Sequence, residues 1–386
     1  MNTSQKTFFT LIALTGGLAI LSSTLSKTPV LPLFAQSLDA TPSEIGWIVM
    51  ASTIPGILIS FPAGALSDFL GKRRVLLASL VVFATAPFLY LWVSNAWELM
   101  AVRFYHGFAT AIFGTVATAA IAERYTADRA AKLSTYSSIT IVGRSIAPFL
   151  GGALISMASF NAVYVACAIS GVLALITGSL LRDIAPKAQT KLEMPHFWAS
   201  LKTVLQDRGI MVVSLVEAAQ YLVFGAIEAF LALYAALLGI PAWAIGVILG
   251  VQLVSIVLAK PFMGKISDRI GRKRVILPGL LIGAASIVLL PLASGFISIS
   301  VLSLIFGIGF ATVTSSTAAL VADLTKDGKF GSSMGVLRTV MDVGQSIGPV
   351  LTGAVVGLAG YGSAFTLLAA ILVVAAVLLG LVFRSG

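Results

Sequence analysis

Glu217, Tyr221, Phe224 and Glu228 follow one another at steps of four, three and four, which puts two carboxyls and two aromatic rings on one helical face. A carboxyl on an otherwise apolar helix binds or releases a proton as its surroundings change. Five basic residues are stranded in equally apolar stretches, Lys27, Arg103, Arg144, Lys260 and Arg338, and a third isolated acid, Asp342, lies one turn after Arg338. His106 shares a face with Arg103 and Gly107, and an imidazole titrates near neutrality. The chemistry in prospect is the holding and moving of charge rather than the making of bonds. No nucleophile triad, no phosphate-cradling loop ending in Lys-Ser/Thr and no metal-ligand spacing stands out, so no enzyme, cofactor or metal is expected. Cys167 is the one cysteine and has no disulfide partner in the chain.

The elements that carry these residues follow from composition. Of 386 residues, 58% are hydrophobic and 10% charged, against about 25% charged in soluble domains. Apolar runs long enough to cross a hydrocarbon core of about 30 Å recur along the chain. Backbone groups have no partner in lipid, and the runs are continuous rather than alternating, so they are expected to be helices. They fall at 8–35, 43–66, 75–94, 97–122, 133–157 and 160–181, then at 209–236, 242–265, 275–294, 297–321, 332–357 and 361–384. The first run exceeds a signal-peptide core and no small-residue cleavage site follows it, which predicts a retained span. The expected organisation is a six-helix bundle over 1–181, a cytoplasmic linker over 182–208 and a second bundle over 209–386.

The net charge of +10 raises the possibility of a nucleic-acid partner. Position decides against it. Twenty of the 25 basic residues fall in Lys6, the loops 72–74, 124–132 and 265–274, the segment 182–208, Lys326, Lys329 and Arg384, all on one side of the map. The opposite loops hold only acids such as Asp39 and Glu44. This bias predicts a multi-pass protein of the cell membrane with both termini cytoplasmic, and the bilayer as its partner.

The chain also repeats itself. "GALSDFLGKRRV" (64–75) returns as "GKISDRIGRKRV" (264–275), and "GRSIAPFLGG" (143–152) as "GQSIGPVLTG" (344–353). A duplicated six-helix unit is a transporter device. At these residues the chain resembles the major facilitator superfamily. Its signature loop is matched by Gly64, Asp68, Gly71, Lys72 and Arg73, and more fully by Gly264, Asp268, Arg269, Gly271, Arg272 and Lys273, with Phe69 replacing a usual base in the first copy. Arg103 and Gly107 resemble its second signature. Gly143, Pro148, Gly151 and Gly152 resemble its export motif, with Ala147 where the family prefers Gly.

The resemblance implies an all-α membrane protein of twelve transmembrane helices in two pseudo-symmetric bundles. It implies that helices one, four, seven and ten line a central cavity, so that Thr312, Ser315 and Ser316 face it from the tenth. The signature loops are then a conformational latch. Each charge at bilayer depth costs about 2.5–3.5 kcal/mol unless paired or wetted, so the substrate and proton pathway is expected at Lys27, Arg103, His106, Arg144, Glu217, Tyr221, Glu228, Arg338 and Asp342. Lys27 stands where many exporters of the family carry an acid, and the surplus of cations at mid-depth favours an anionic or zwitterionic substrate. The reading is a monomeric, proton-coupled exporter of small organic or amphiphilic compounds. Its rivals are a proton symporter for sugars or organic anions and a non-transporting sensor or scaffold.

Overall fold

Spans this apolar leave the backbone no hydrogen-bond partner but itself, and helices result. A computed structural model describes residues 3–56, 58, 59, 67, 69–181, 204–325 and 330–382. Among them the helices are α1 (Thr3–Leu25), α2 (Val30–Ser37), α3 (Pro42–Ala51), α4 (Lys72–Leu89), α5 (Ala96–Arg124), α6 (Arg129–Met157), α7 (Phe160–Ser179), α8 (Arg208–Leu237), α9 (Ala242–Ile270), α10 (Arg272–Val288), α11 (Phe296–Leu324) and α12 (Phe330–Val382), and no strand is present. Ten stretches are long and apolar enough to cross a membrane. One of these is Ser332–Val382, which Gly360 (φ 79°, ψ 174°) divides into the two spans expected there. The second expected span, 43–66, begins in α3 and runs on into positions largely outside the described residues, as do Gly64 and Asp68. Among the described residues the protein is all-α, built of helices long and apolar enough to cross a membrane.

The first span differs from the expected single helix. It breaks between Leu25 and Val30, because Pro29 has no amide to give to the ladder and disfavours helix at the residue before it. Lys27 lies in this break.

The helix ends agree with a bilayer. Lys72, Arg73 and Arg74 start α4, Arg124 ends α5 and Arg269 lies near the end of α9. Every described tryptophan is exposed, three of them at helix ends remote from these: Trp92 just after α4, Trp97 in the first turn of α5 and Trp243 in the first turn of α9, with Trp47 midway along the short α3. Aromatic rings of this kind anchor spans at the headgroup level. Acids at that side are helix caps. The Glu44 carboxylate accepts from Thr41 N at 2.8 Å, and that of Glu98 from Ser94 N at 2.8 Å.

The chain forms two compact units. Unit 1 comprises Met1–Ala40, Trp47–Gln189 and Pro241–Gly246, and unit 2 comprises Thr41–Gly46, Thr190–Ile240 and Val247–Gly386. In unit 1, α1 packs on α6 and α7, and α4 on α5 and α7. In unit 2, α8 packs on α11 and α12, and α10 on the same two helices. Between helices in lipid, packing does the work that the hydrophobic effect does in water, so close approach matters most. At Gly107 of α5 a Cβ would stand 2.4 Å from the carbonyl oxygen of Ser52, and at Gly307 of α11 it would stand 2.7 Å from that of Gln252. The duplication is visible elsewhere too. Short 3₁₀ turns follow α4 (Tyr90–Trp92) and α10 (Leu290–Leu292), and positive φ recurs at Gly71 (88°) and Gly271 (97°).

Gly107→Ala is therefore expected to lower stability by about 1–3 kcal/mol, read as a drop in melting temperature of the purified protein. Gly114→Ala, on the same helix with no neighbour within 4 Å of the new Cβ, should leave it unchanged or slightly raised. Equal effects would show that the α5 contact does not depend on the bare backbone at position 107.

Candidate functional site

In unit 2 three residues of the expected stripe, Glu217, Tyr221 and Phe224 of α8, pack on α11. The antiparallel register is set by contacts a turn apart. The Glu217 carboxyl meets the Thr317 hydroxyl, Tyr221 meets the Phe310 ring at 5.0 Å between centroids, and Phe224 meets it at 4.6 Å. Glu217 is 4% exposed. Thr317 Oγ1 also lies 2.9 Å from the carbonyl oxygen of Val313. One hydroxyl proton cannot serve two acceptors at once. With a proton on Glu217 both contacts are satisfied; with an ionised Glu217 they compete.

Lys260, on α9, holds its ammonium 5.9 Å from the centre of the Phe310 ring and within electrostatic reach of Glu217. Gln220, on the turn after Glu217, is fully buried, and neither end of its amide has a partner among the described residues. Glu228 and Tyr221 are half-buried on the same helix. The tenth span meets Glu217 through Thr317, a residue next to the expected trio: Thr312 and Ser315 bond back to their own helix, and Ser316 is buried. Helical rotation decides this, since Thr317 stands a full turn from Val313 on the face turned to α8.

In unit 1 Arg103 and His106 turn into the body of the unit. Arg103 Nη2 donates to Ser52 Oγ at 2.8 Å and Nη1 to the Tyr90 hydroxyl at 3.2 Å. His106 Nδ1 lies 3.3 Å from that hydroxyl, and the Tyr90 ring stacks on Tyr164 at 4.3 Å with 3° between planes. Arg103 is 4% and His106 2% exposed. Lys27 is half-buried, whereas Arg144 on α6 is exposed, as are Arg338 and Asp342 on α12. The small residues of the export-like motif pack close to other helices: a Cβ at Gly143 would stand 3.1 Å from Gly17 O, and one at Gly151 3.0 Å from the Val30 side chain, while Pro148 is buried within α6.

The signature loops make parallel ion pairs, each within its own unit. Lys72 Nζ meets Glu123 Oε1 at 3.0 Å, and 200 residues on Arg272 Nε meets Asp323 Oδ2 at 3.0 Å. Arg272 also pairs with Asp268 and donates to Ser267 Oγ at 2.8 Å. Arg73 serves a different purpose, donating to the carbonyls of Leu181 at 2.7 Å and Ser179 at 3.1 Å, the free carbonyls at the end of α7. A Cβ at Gly264 would meet no atom within 4 Å, and Arg269 is exposed.

Sequence reasoning missed Glu123 and Asp323, although their shared spacing of 200 was a readable signal. It also missed Ser52, Tyr90, Tyr164, Gln220 and Thr317, which carry no charge and acquire meaning only through a neighbour on another helix.

Comparison with known proteins agrees with this architecture. The chain matches the sequence profile of the Major Facilitator Superfamily over residues 12–251 and 213–385. It is 26% identical over 330 residues to the quinolone resistance protein NorA of Staphylococcus aureus, covering 84% of each chain. It is 25% identical over 341 residues to an uncharacterized MFS-type transporter of Methanocaldococcus jannaschii, covering 87% of this chain and 88% of that one. Its fold is similar to a crystal structure of a mutant of the nucleoside transporter NupG, with a TM-score of 0.85 at 15% identity over 97% of this chain and 100% of the other. It is also similar to a bacterial homologue of the human lysosomal transporter Spinster, with a TM-score of 0.84 at 14% identity over 100% and 98%.

The two loop pairs differ in burial, which separates their energies. The Lys72 side chain is 3% exposed and that of Arg272 20%. Glu123→Gln is expected to cost about 1–2 kcal/mol of stability, because it takes a carboxylate from a buried ammonium. Asp323→Asn, at the more exposed Arg272, should cost under about 1 kcal/mol. Thermal unfolding of both variants checks the order, and a reversal would refute it.

Proposed function

This chain belongs to the major facilitator superfamily, and on that premise we propose that it is a proton-coupled exporter of small organic or amphiphilic compounds, working by alternating access. Membership makes it a multi-pass membrane transporter of a small-molecule substrate. Direction, coupling ion and substrate are the proposal.

The observation that carries proton coupling is Glu217. It is a buried carboxyl set against a hydroxyl that already has a backbone acceptor, beside a lysine and a wall of Tyr221, Phe224 and Phe310. A carboxyl that alternates between such a setting and water exchanges a proton with each cycle. Glu228 is the second carboxyl of the stripe and Gln220 the neutral hydrogen-bonding group beside it. Export is supported by the export-like motif of α6 and by the likeness to a quinolone resistance protein. An anionic or zwitterionic substrate is supported by the surplus of charge isolated in apolar stretches, five basic residues against three acids. The loop pairs of Lys72 and Arg272 serve as the latch that must open in each cycle. We further propose residence in the cell membrane with both termini cytoplasmic, as a monomer with no nucleic-acid partner.

In everted vesicles, an imposed gradient acid inside should drive accumulation of a substrate found by a growth screen against toxic compounds, anions included. Glu217→Gln should abolish gradient-driven accumulation, a loss of at least tenfold, and spare counterflow exchange. Accumulation that needs the opposite gradient would establish uptake instead, and an unaltered pH dependence in Glu217→Gln would remove that residue from coupling. Reporter fusions after Arg384 should be active only as cytoplasmic reporters.

A further inference from the structure

Arg103 is a full cation at every accessible pH, yet its described partners are neutral: the Ser52 hydroxyl and the Tyr90 phenol. The described acids of the first half are committed elsewhere. Glu98 caps α5, Glu123 holds Lys72, and Asp39, Glu44 and Asp128 sit at or beside helix starts and ends. A buried charge without a counter-charge is strongly destabilising.

Hydrogen-bond accounting sharpens the point. The Tyr90 hydroxyl accepts from Arg103 Nη1 and so gives its one proton to His106 Nδ1, 3.3 Å away. His106 then carries its own proton on Nε2. Three groups in this cluster are left without a partner among the described residues: Arg103 Nε–H, His106 Nε2–H and the Tyr164 hydroxyl. The side chains that bear them are 4%, 2% and 0% exposed. Two are donors only and the third can donate, and among the described residues no acceptor is bonded to any of them.

The duplicated unit supplies an internal control. Two hundred residues on, Ser52, Tyr90, Arg103 and His106 become Gln252, Leu290, Ser303 and Phe306, which line one small gap, and Tyr164 becomes Phe365 at the offset of the fifth and eleventh spans. The same helices pack there with no charge, so the scaffold does not require one. The cation in unit 1 has another purpose.

We propose that the Arg103, His106 and Tyr164 cluster in unit 1 is a binding site for a small inorganic anion, a halide. A group that satisfies these donors must accept hydrogen bonds and carry negative charge. The burial of all three side chains and the close approach of Gly107 to Ser52 favour a monatomic ion over an organic acid. The site is independent of transport direction and of the coupling ion.

Thermal unfolding of the full purified chain, at constant ionic strength with gluconate replaced by chloride or bromide, tests this. The expected result is a saturable rise in melting temperature of a few degrees. Tyr164→Phe should weaken the apparent halide affinity about fivefold or more, and Arg103→Gln should abolish the effect. Crystals grown in bromide should show its anomalous signal beside Arg103 Nε. Equal melting in chloride, bromide and gluconate would overturn the proposal, as would a halide effect that both variants retain. Stabilisation by acetate or formate but not by halide would assign the cluster to a carboxylate and overturn it too. Should Arg103→Gln fail to fold, Tyr164→Phe and the bromide signal decide.

Discussion

A charge or a polar group inside a span has no water to fall back on, and most of the structure follows from how each one is provided for. Three solutions coexist. At the helix ends, Lys72 with Glu123 and Arg272 with Asp323 form ion pairs that border water. Deep in each unit a charged group bonds to neutral partners, Arg103 to Ser52 and Tyr90, and Glu217 to Thr317 with Lys260 within electrostatic reach. Arg144, Arg338 and Asp342 stay exposed at mid-span, which at bilayer depth is tolerable only toward water or a charged partner.

Duplication explains why these solutions come in related forms. The turns at Gly71 and Gly271, the 3₁₀ turns after α4 and α10 and the loop ion pairs recur in both units. The interior is where the units part. One unit encloses a cation among phenols and an imidazole, and the other a carboxyl beside a lysine and an aromatic wall. A transporter that must bind, move and release a charged species has use for such asymmetry, since each unit then offers a different electrostatic surface on the same backbone.

Much of this was legible before any coordinates. Apolar run length determined helices and their number, because lipid admits no other open backbone. The lysine and arginine bias determined the expected orientation, and the repeat of 200 residues determined the duplicated scaffold and the positive-φ glycines. The stripe of Glu217, Tyr221, Phe224 and Glu228 was readable because a helical face depends only on spacing. Even the break at Lys27 had its signal in Pro29.

Tertiary structure alone decided which neutral groups matter. Tyr90, Tyr164 and Ser52 come from three separate segments and meet around Arg103 only when α4, α5 and α7 pack. Thr317 rather than its neighbours reaches Glu217 because α8 and α11 settle in one rotation of many that spacing allows. The reason is physical. Spacing along a chain fixes directions within one helix, whereas hydrogen bonds between helices depend on close approach of backbones, and that is set by many small contacts summed over the whole unit.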